Sequence, residues 1–190
     1  MEILALTRRC RRLLLAGAVA LALVSLAAPS RAQVYEVGAG GTLQNDTASG
    51  GGPSSFSKGG YFGFGEIHLD MDTRLQLRVA SFRLPGKLSD SPGLSVTELS
   101  LTGMYLFREN WFSAGFYGGI GVFRIAPDSP TADQTAYDPR ESVWGLKGGV
   151  LTLIRLEKRI DLRLEGGVTY LASTYGHSPI TLGAAISYRF

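Results

Sequence analysis

The 190-residue sequence is poor in the residues from which many soluble enzymes and metalloproteins build their sites. It contains one cysteine, Cys10, and two histidines, His68 and His177. Cys10 lies in an amino-terminal segment that we expect to be removed, so the mature chain would form no disulfide and no cysteine-ligated metal site. Leucine-rich helical periodicity is also missing after residue 32, which argues against a helical domain.

Residues 1–32 have the pattern of a secretory signal peptide. Four arginines between Arg8 and Arg12 form a basic region, and an uncharged apolar run follows at 13–28. Ser30-Arg31-Ala32 is a small-x-small site, which predicts cleavage after Ala32. A retained transmembrane helix is the alternative, but the run is shorter than the roughly 20 residues that span a bilayer.

Removal of this segment changes what the charge implies. The whole chain has 19 Lys+Arg and 16 Asp+Glu, a net charge of +3. Residues 1–32 hold five arginines and one glutamate, so 14 basic and 15 acidic residues remain, a net charge of −1. The basic character therefore belongs to the signal segment, and it does not indicate nucleic acid as a partner.

The mature part, 33–190, consists of segments in which apolar residues alternate with polar or small ones. The clearest is Ile-Asp-Leu-Arg-Leu-Glu at 160–165. A period of two places the apolar residues on one face of a strand. Eight such segments predict a single all-β domain, an eight-stranded antiparallel up-and-down transmembrane β-barrel. The predicted strands are 34–43, 59–69, 74–84, 94–107, 111–123, 142–153, 159–171 and 181–190.

The connections between these segments alternate in length, as an outer-membrane barrel requires. The short ones are 70–73, 108–110 and 154–158. The long ones are rich in Gly, Ser, Pro, Asp and Thr, and we expect them outside the cell as candidate surfaces for extracellular partners. They are 44–58, 85–93, 124–141 and 172–180.

The two faces of the strands differ in charge, and this difference distinguishes a soluble barrel from a membrane barrel. In a soluble barrel the apolar face would point inward, whereas in a membrane it meets lipid and the charges point into the bore. The inward set then holds five acids and five bases, a balance that an enclosed interior needs because an unpaired buried charge is costly. We predict an ionic core that plugs the bore; an open pore is the alternative. The ten residues are Glu36, Glu66, Arg74, Arg78, Glu98, Lys147, Asp161, Arg163, Glu165 and Arg189.

Aromatic residues cluster at the strand ends on the short-turn side, as an interfacial girdle predicts. The last strand ends Ile186-Ser187-Tyr188-Arg189-Phe190, with apolar residues at alternate positions up to a terminal phenylalanine. The predicted girdle residues are Tyr35, Tyr105, Phe107, Trp111, Phe112, Tyr188 and Phe190.

With these features, the mature chain resembles the small outer-membrane β-barrel superfamily, which includes the OmpA barrel, OmpX, OmpW and opacity proteins. The resemblance implies localisation in the outer membrane of a Gram-negative-type bacterium. Outer-membrane lipid and lipopolysaccharide would surround the protein. The carboxyl-terminal strand is similar to the signal that the barrel-assembly machinery recognises during biogenesis.

Some barrels of this class are enzymes that modify lipid A, with a serine and a histidine near the carboxyl terminus. Here His177 and Ser178 are adjacent, and Pro179 follows. Neighbours on an extended chain point to opposite faces, so a hydrogen bond between them is hard to form. We expect no catalytic residues.

Metal and nucleotide sites are weakly supported. Glu66 and His68 share a face, and Asp70 and Asp72 follow, but two ligands without assigned partners make a poor site. An internal ion pair is the expected role of Glu66. Three aspartates in the 124–141 loop fit no calcium-binding spacing. Dense glycines lie within strands rather than before a helix, so they do not form a phosphate cradle. We predict no cofactor and no metal. The aspartates are Asp128, Asp133 and Asp138; the glycines are Gly60, Gly63, Gly65, Gly115, Gly118, Gly119 and Gly121.

These observations favour a non-enzymatic outer-membrane protein with a structural or surface-interaction role. A conduit for small molecules, as in OmpW-like barrels, is the first alternative, although the charged inner face argues against the apolar interior that it would need. A lipid A-modifying enzyme is the second.

Overall fold

The computed structural model describes residues 34–46, 58–84, 93–109, 111–127, 141–173 and 178–190. Among these residues, no helix is long and apolar enough to cross a membrane. They form eight strands, whose bounds are β1 Tyr35–Asp46, β2 Lys58–His68, β3 Thr73–Leu84, β4 Leu94–Arg108, β5 Phe112–Pro127, β6 Glu141–Arg155, β7 Ile160–Leu171 and β8 Pro179–Arg189.

The strands form one closed antiparallel barrel in chain order. Each strand pairs with its neighbour in sequence, and β1 closes the barrel by pairing with β8, where Ala39 lies opposite Ile186. The predicted eight-stranded up-and-down barrel is confirmed, and so is the closure by the last strand. Closure leaves no unpaired strand edge, which a membrane-spanning sheet requires.

Several strands are longer than the sequence pattern predicted. β5 continues to Pro127 and β6 begins at Glu141, and the ladder between them still pairs Ile125 with Glu141. Apolar residues stop alternating where a strand extends beyond the lipid, whereas the backbone hydrogen bonds between strands continue past that point. Three of the long connections therefore shorten, to 47–57, 128–140 and 172–178, and the fourth keeps its predicted bounds, 85–93.

The short connections are tight turns held by backbone hydrogen bonds. In the turn between β2 and β3, the Leu69 amide donates to the Thr73 carbonyl at 3.0 Å. The Asp70 carboxylate accepts the amides of Asp72 at 2.8 Å and Thr73 at 2.6 Å. These donors, Thr73 first, hold the pKa of Asp70 below its usual range. The turn thereby sets the register of the hairpin locally.

The outward face of the barrel is an apolar wall with an aromatic girdle near each end. Large aliphatic side chains are exposed on it, including Leu146 at 60% and Val150 at 65%. Such a continuous exposed apolar surface is typical of a lipid contact. The predicted lower girdle is present, and in it the rings of Tyr188 and Phe190 meet at 5.2 Å. An upper girdle, which the sequence analysis missed, consists of the exposed residues Tyr61, Trp144 and Tyr170.

Glycine on the inward face lets neighbouring strands pack closely. A Cβ atom on Gly119 of β5 would overlap the backbone carbonyl of Leu101 and the side chain of Thr102 on β4. Gly103 of β4 faces outward, and a Cβ atom there would meet nothing within 4 Å. The two glycines lie on neighbouring, paired strands and differ in whether they face the bore or the lipid. They therefore form a matched pair for substitution.

We expect Gly119→Val to lower the free energy of unfolding by about 3 kcal/mol, because backbone must move to admit the side chain. Gly103→Val should change it by less than about 0.5 kcal/mol. Urea unfolding of the refolded protein in lipid vesicles, followed by tryptophan fluorescence, measures both. Equal losses in the two variants would contradict the packing argument.

Candidate functional site

The bore of the barrel is the candidate site, because the charged residues of the strands converge there. All ten residues that the sequence assigned to the interior face inward, nine of them buried and Arg189 partly so. The sequence-based assignment of this face is confirmed. A bore of eight strands is only wide enough for its own side chains, so these charges must be satisfied by one another.

At the end of the bore beside the short turns, Glu36 is the centre of a charged group. Its carboxylate accepts a hydrogen bond from Arg74 Nη1 at 2.8 Å and lies 3.2 Å from His68 Nε2. Ser187 Oγ donates to the other carboxylate oxygen of Glu36. Arg189 Nε lies 3.9 Å from Glu36, and Arg189 also pairs with Asp161.

The middle of the bore contains two carboxylates bridged by arginines. Glu66 accepts from Arg74 Nη1 at 3.2 Å and from Arg163. Arg163 in turn donates from Nε to Glu165 at 3.1 Å. Glu165 also pairs with Arg78. Arg163 is among the most buried side chains of the described residues, and it contacts acids on both sides.

Toward the outer end, Glu98 completes the series. Arg78 Nε lies 3.9 Å from Glu98, and Lys147 Nζ donates to Glu98 at 2.5 Å. Ser100 Oγ donates to the same carboxylate oxygen at 2.5 Å. The ten residues therefore form one unbroken series in which acids and bases alternate, which we call the interior ion chain. Its order is Asp161, Arg189, Glu36, Arg74, Glu66, Arg163, Glu165, Arg78, Glu98 and Lys147.

Toward the long connections the bore is filled mainly by apolar side chains, which the predicted ionic core did not include. A buried cluster fills the bore beside the long connections, with Leu84, Val96 and Phe123 at 0% exposure. Their inward positions were hidden in the sequence because the outward face of the same strands is also apolar. The cluster, which we call the apolar layer, consists of Phe62, Phe64, Ala80, Phe82, Leu84, Val96, Phe123, Ile125, Val143, Leu171 and Ala185.

The ion chain and the apolar layer meet at two aromatic rings. The guanidinium carbon of Arg78 lies 3.8 Å from the ring centroid of Phe62, and that of Arg163 lies 4.9 Å from Phe64. Cations over aromatic faces gain electrostatic stabilisation, most when water is excluded. At the mouth beside the short turns, a recess next to Arg74 and Arg189 has a volume of about 20 Å³, room for roughly one water molecule.

The geometry agrees with comparisons to known proteins. Residues 16–190 match the family described as Outer membrane protein beta-barrel domain. The chain belongs to the outer-membrane protein β-barrel domain family. Its location is accordingly the outer membrane. No curated protein matches the sequence.

Solved structures of bacterial surface proteins share the fold of this outer-membrane barrel. Ail, the attachment invasion locus protein of Yersinia pestis, solved with the heparin analogue sucrose octasulfate, has a TM-score of 0.58 at 15% identity, over 83% of this chain and 99% of Ail. Neisserial surface protein A has a TM-score of 0.60 at 11% identity, over 83% and 97%. The amino-terminal barrel of Pseudomonas aeruginosa OprF has a TM-score of 0.57 at 14% identity, over 83% of this chain and 97% of the OprF barrel.

The structure brings Glu36 together with Glu66 and His68, two of the residues considered as metal ligands. Oxygen or nitrogen atoms of Glu36, Glu66 and His68 lie within 4.8 Å of one another. Arg74 Nη1 bonds both carboxylates, so a permanent cation already occupies the position between them. The ion pairing predicted for Glu66 is confirmed. Glu36 was missed as its partner because it lies on another strand, opposite Glu66 in the ladder.

The other candidates for chemistry are not part of this cluster. Asp72 pairs with Arg108 at 3.6 Å in an exposed turn, and Asp70 caps the same turn. Ser178 lies just before β8, whereas His177 and the three loop aspartates at 128, 133 and 138 are outside the described residues. The dense glycines of β2 and β5 lie within strands as predicted.

We expect Lys147→Met to lower the free energy of unfolding by about 3–5 kcal/mol, because it leaves Glu98 buried with less compensation. The double variant Glu98→Gln/Lys147→Met should recover a large part of that loss, since both charges are then removed. Urea unfolding in lipid vesicles measures the unaltered protein, both single variants, Lys147→Met and Glu98→Gln, and the double variant.

Lys158→Met, in the exposed short turn between β6 and β7, is the control and should change stability by less than about 0.5 kcal/mol. An additive double variant would show that Lys147 and Glu98 are not coupled.

Proposed function

We propose that this outer-membrane barrel is a non-conducting, non-enzymatic anchor that presents its long connections at the cell surface. The observation that carries the proposal is the filling of the bore. The interior ion chain links seven of the eight strands, and the apolar layer lies next to it. A barrel filled in this way is suited to hold loops in place rather than to pass solutes.

The composition of the long connections indicates the chemistry of a surface partner. Segments 47–57, 85–93, 128–140 and 172–178 contain four aspartates and two bases, Lys87 and Arg140. Ail was solved with a heparin analogue, which is polyanionic. The acidic balance of the connections in this chain favours a neutral or basic partner instead.

Planar-bilayer recording tests the filled bore. The refolded mature chain should show no steady conductance at moderate voltage, because the ion chain leaves no continuous aqueous path. Glu98→Gln/Lys147→Met, which removes two members of the chain, serves as the comparison. Steady single-channel openings of the unaltered protein would refute the anchor proposal.

Display of the connections is tested on intact cells. An epitope inserted within 128–140 should bind antibody without permeabilisation, whereas one inserted in the turn at 156–159 should bind only after it. The reverse pattern would place the long connections in the periplasm and would overturn the proposal.

The apolar layer supports a second candidate, a conduit for small apolar compounds. Buried phenylalanines in the outer half of the bore match the lining that such a conduit needs. Release of an apolar dye from vesicles containing the protein would favour the conduit. Substitution of Phe123 by Ala, which opens this layer, should then raise the release rate.

We propose that residues 1–32 are a signal peptide, cleaved after Ala32, and that the barrel-assembly machinery recognises the last strand. The mass of the protein isolated from outer membranes should correspond to 33–190. A mass that includes residues 1–32 would contradict the cleavage.

A further inference from the structure

The mouth of the bore beside the short turns contains bases in addition to those of the interior ion chain. β4 ends at Arg108 and β6 ends at Arg155. Both arginines continue the inward period of their strands, in which Leu106 and Leu153 are buried. The sequence analysis assigned these two arginines to short connections and not to the bore. They add two positive charges to the end of a series in which acids and bases are otherwise equal in number.

The recess at this mouth lies among the added charges. Its volume is about 20 Å³, and its lining includes four arginines and two acids. One of the acids, Asp161, already pairs with Arg189. Positive charge is therefore in excess around the recess. The lining arginines are Arg74, Arg108, Arg155 and Arg189, and the acids are Glu109 and Asp161.

The charged neighbours of Arg108 show the same excess. Those that act on it most strongly are Arg74, Asp72, Arg189 and Arg155, so three of the four are bases. Asp72 Oδ1 lies 3.6 Å from Arg108 Nε, which is beyond hydrogen-bond distance, and both side chains are partly exposed. Like charges gathered at one place repel one another, and an anion between them would relieve that repulsion.

Two hydrogen-bond donors of the lining also need an acceptor. Nε of Arg74 and Nε of Arg189 are buried, and neither has a hydrogen-bond partner among the described residues. The side chain of Arg74 is only 4% exposed. Glu36 lies 3.9 Å from Arg189 Nε, too far for a hydrogen bond. A buried donor without an acceptor is costly, so an anion in the recess would be stabilised by hydrogen bonds as well as by charge.

The size of the recess selects the kind of anion. A space for roughly one water molecule suits a monatomic anion, and it is too small for a phosphate group with four oxygens. Chloride accepts hydrogen bonds from N–H groups and carries the compensating charge. A water molecule would also fit, but it would leave the excess positive charge unbalanced. Arg108 and Arg155 are exposed, so an ion can enter the recess from solution.

We propose that the recess binds a halide ion, chloride in ordinary solution, between the guanidinium groups of Arg74, Arg108 and Arg189. This site goes beyond the proposed anchoring function, because neither the filled bore nor the display of the long connections requires a bound ion. It is also independent of the side of the membrane to which this mouth is exposed.

Bromide diffraction tests the site in the unaltered protein, so this result does not depend on how any variant folds. Bromide replaces chloride in halide sites and can be located by its anomalous scattering. Crystals of the refolded mature chain grown in sodium bromide should show an anomalous peak in the recess beside Arg74 and Arg189. Density for a water molecule only, without an anomalous peak, would overturn the proposal.

Urea unfolding in vesicles of zwitterionic lipid tests binding in solution. Gluconate is replaced stepwise by chloride at constant ionic strength, so general screening of charges stays the same. The urea midpoint should rise with chloride and then level off, because an ion that binds only the folded state stabilises it by mass action. Gluconate is too large for the recess. Equal midpoints in chloride and gluconate would contradict a specific site.

A matched pair of variants locates the effect. Arg108→Gln should raise the chloride concentration of half-maximal effect about tenfold, because it removes one charge-assisted contact. Arg108 is exposed and is not a member of the ion chain, so this variant should fold. Lys158→Gln removes the same charge from the short turn between β6 and β7, outside the lining, and should respond to chloride as the unaltered protein does. Equal responses of the two variants would show a general effect of charge and would overturn the site.

Failure of this site is distinguishable from failure of the anchor function. Bilayer recording and epitope display depend on the filled bore and on the long connections, and neither requires an ion in the recess. A protein that is silent in bilayers and displays its long connections, but does not distinguish chloride from gluconate, would retain the proposed function and lose only the halide site.

Discussion

The closure of β1 against β8 is the constraint on which the rest of this structure depends. Through this pairing the backbone N–H and C=O groups of the first and last strands form hydrogen bonds within the sheet. Any structure that spans lipid needs its backbone groups paired in this way. Closure also sends every second side chain into a bore with room for side chains alone. Because so little water enters such a bore, the inward charges must neutralise one another. The interior ion chain follows from that requirement.

The ion chain and the apolar layer divide the bore between two kinds of packing. The ion chain shares the half of the bore beside the short turns with a small buried apolar cluster around Met104 and Leu151, and the phenylalanine-rich cluster occupies the region toward the long connections. Arg78 and Arg163 join the two, since each pairs with an acid and lies over a phenylalanine ring. Buried ion pairs contribute less to stability than their geometry suggests, because desolvation offsets much of the attraction. Breaking one is nevertheless costly, so a filled bore resists rearrangement.

The outward wall of the barrel, unlike the bore, does not need its side chains to pair with one another. Lipid accepts apolar side chains without compensation, so the wall needs no internal pairing and only its ends carry polar groups. The lower girdle at Tyr188 and Phe190 and the upper girdle at Tyr61 and Trp144 mark the two interfaces. The position of any polar residue on the wall can therefore be judged against these aromatic residues.

Much of the fold could be predicted from sequence because the side-chain period of a strand is two. That period alone placed the ten charged residues on one face, and the alternating connection lengths indicated the hairpin order. It did not reveal the apolar layer, because Phe62 and Phe123 are inward residues on strands whose outward residues are also apolar. Nor did it reveal the full strand lengths, since backbone pairing continues where apolar alternation ends.

The sequence by itself determined which side chains share a face and which membrane the protein occupies, because both depend on local alternation and composition. The tertiary structure alone decided which charges meet. Arg163 bonds Glu66 from 97 residues away, and Arg78 bonds Glu165 from 87 residues away. Those partners depend on strand register and on the stagger of a closed barrel, and no local pattern encodes the relative height of two strands on opposite sides of a bore.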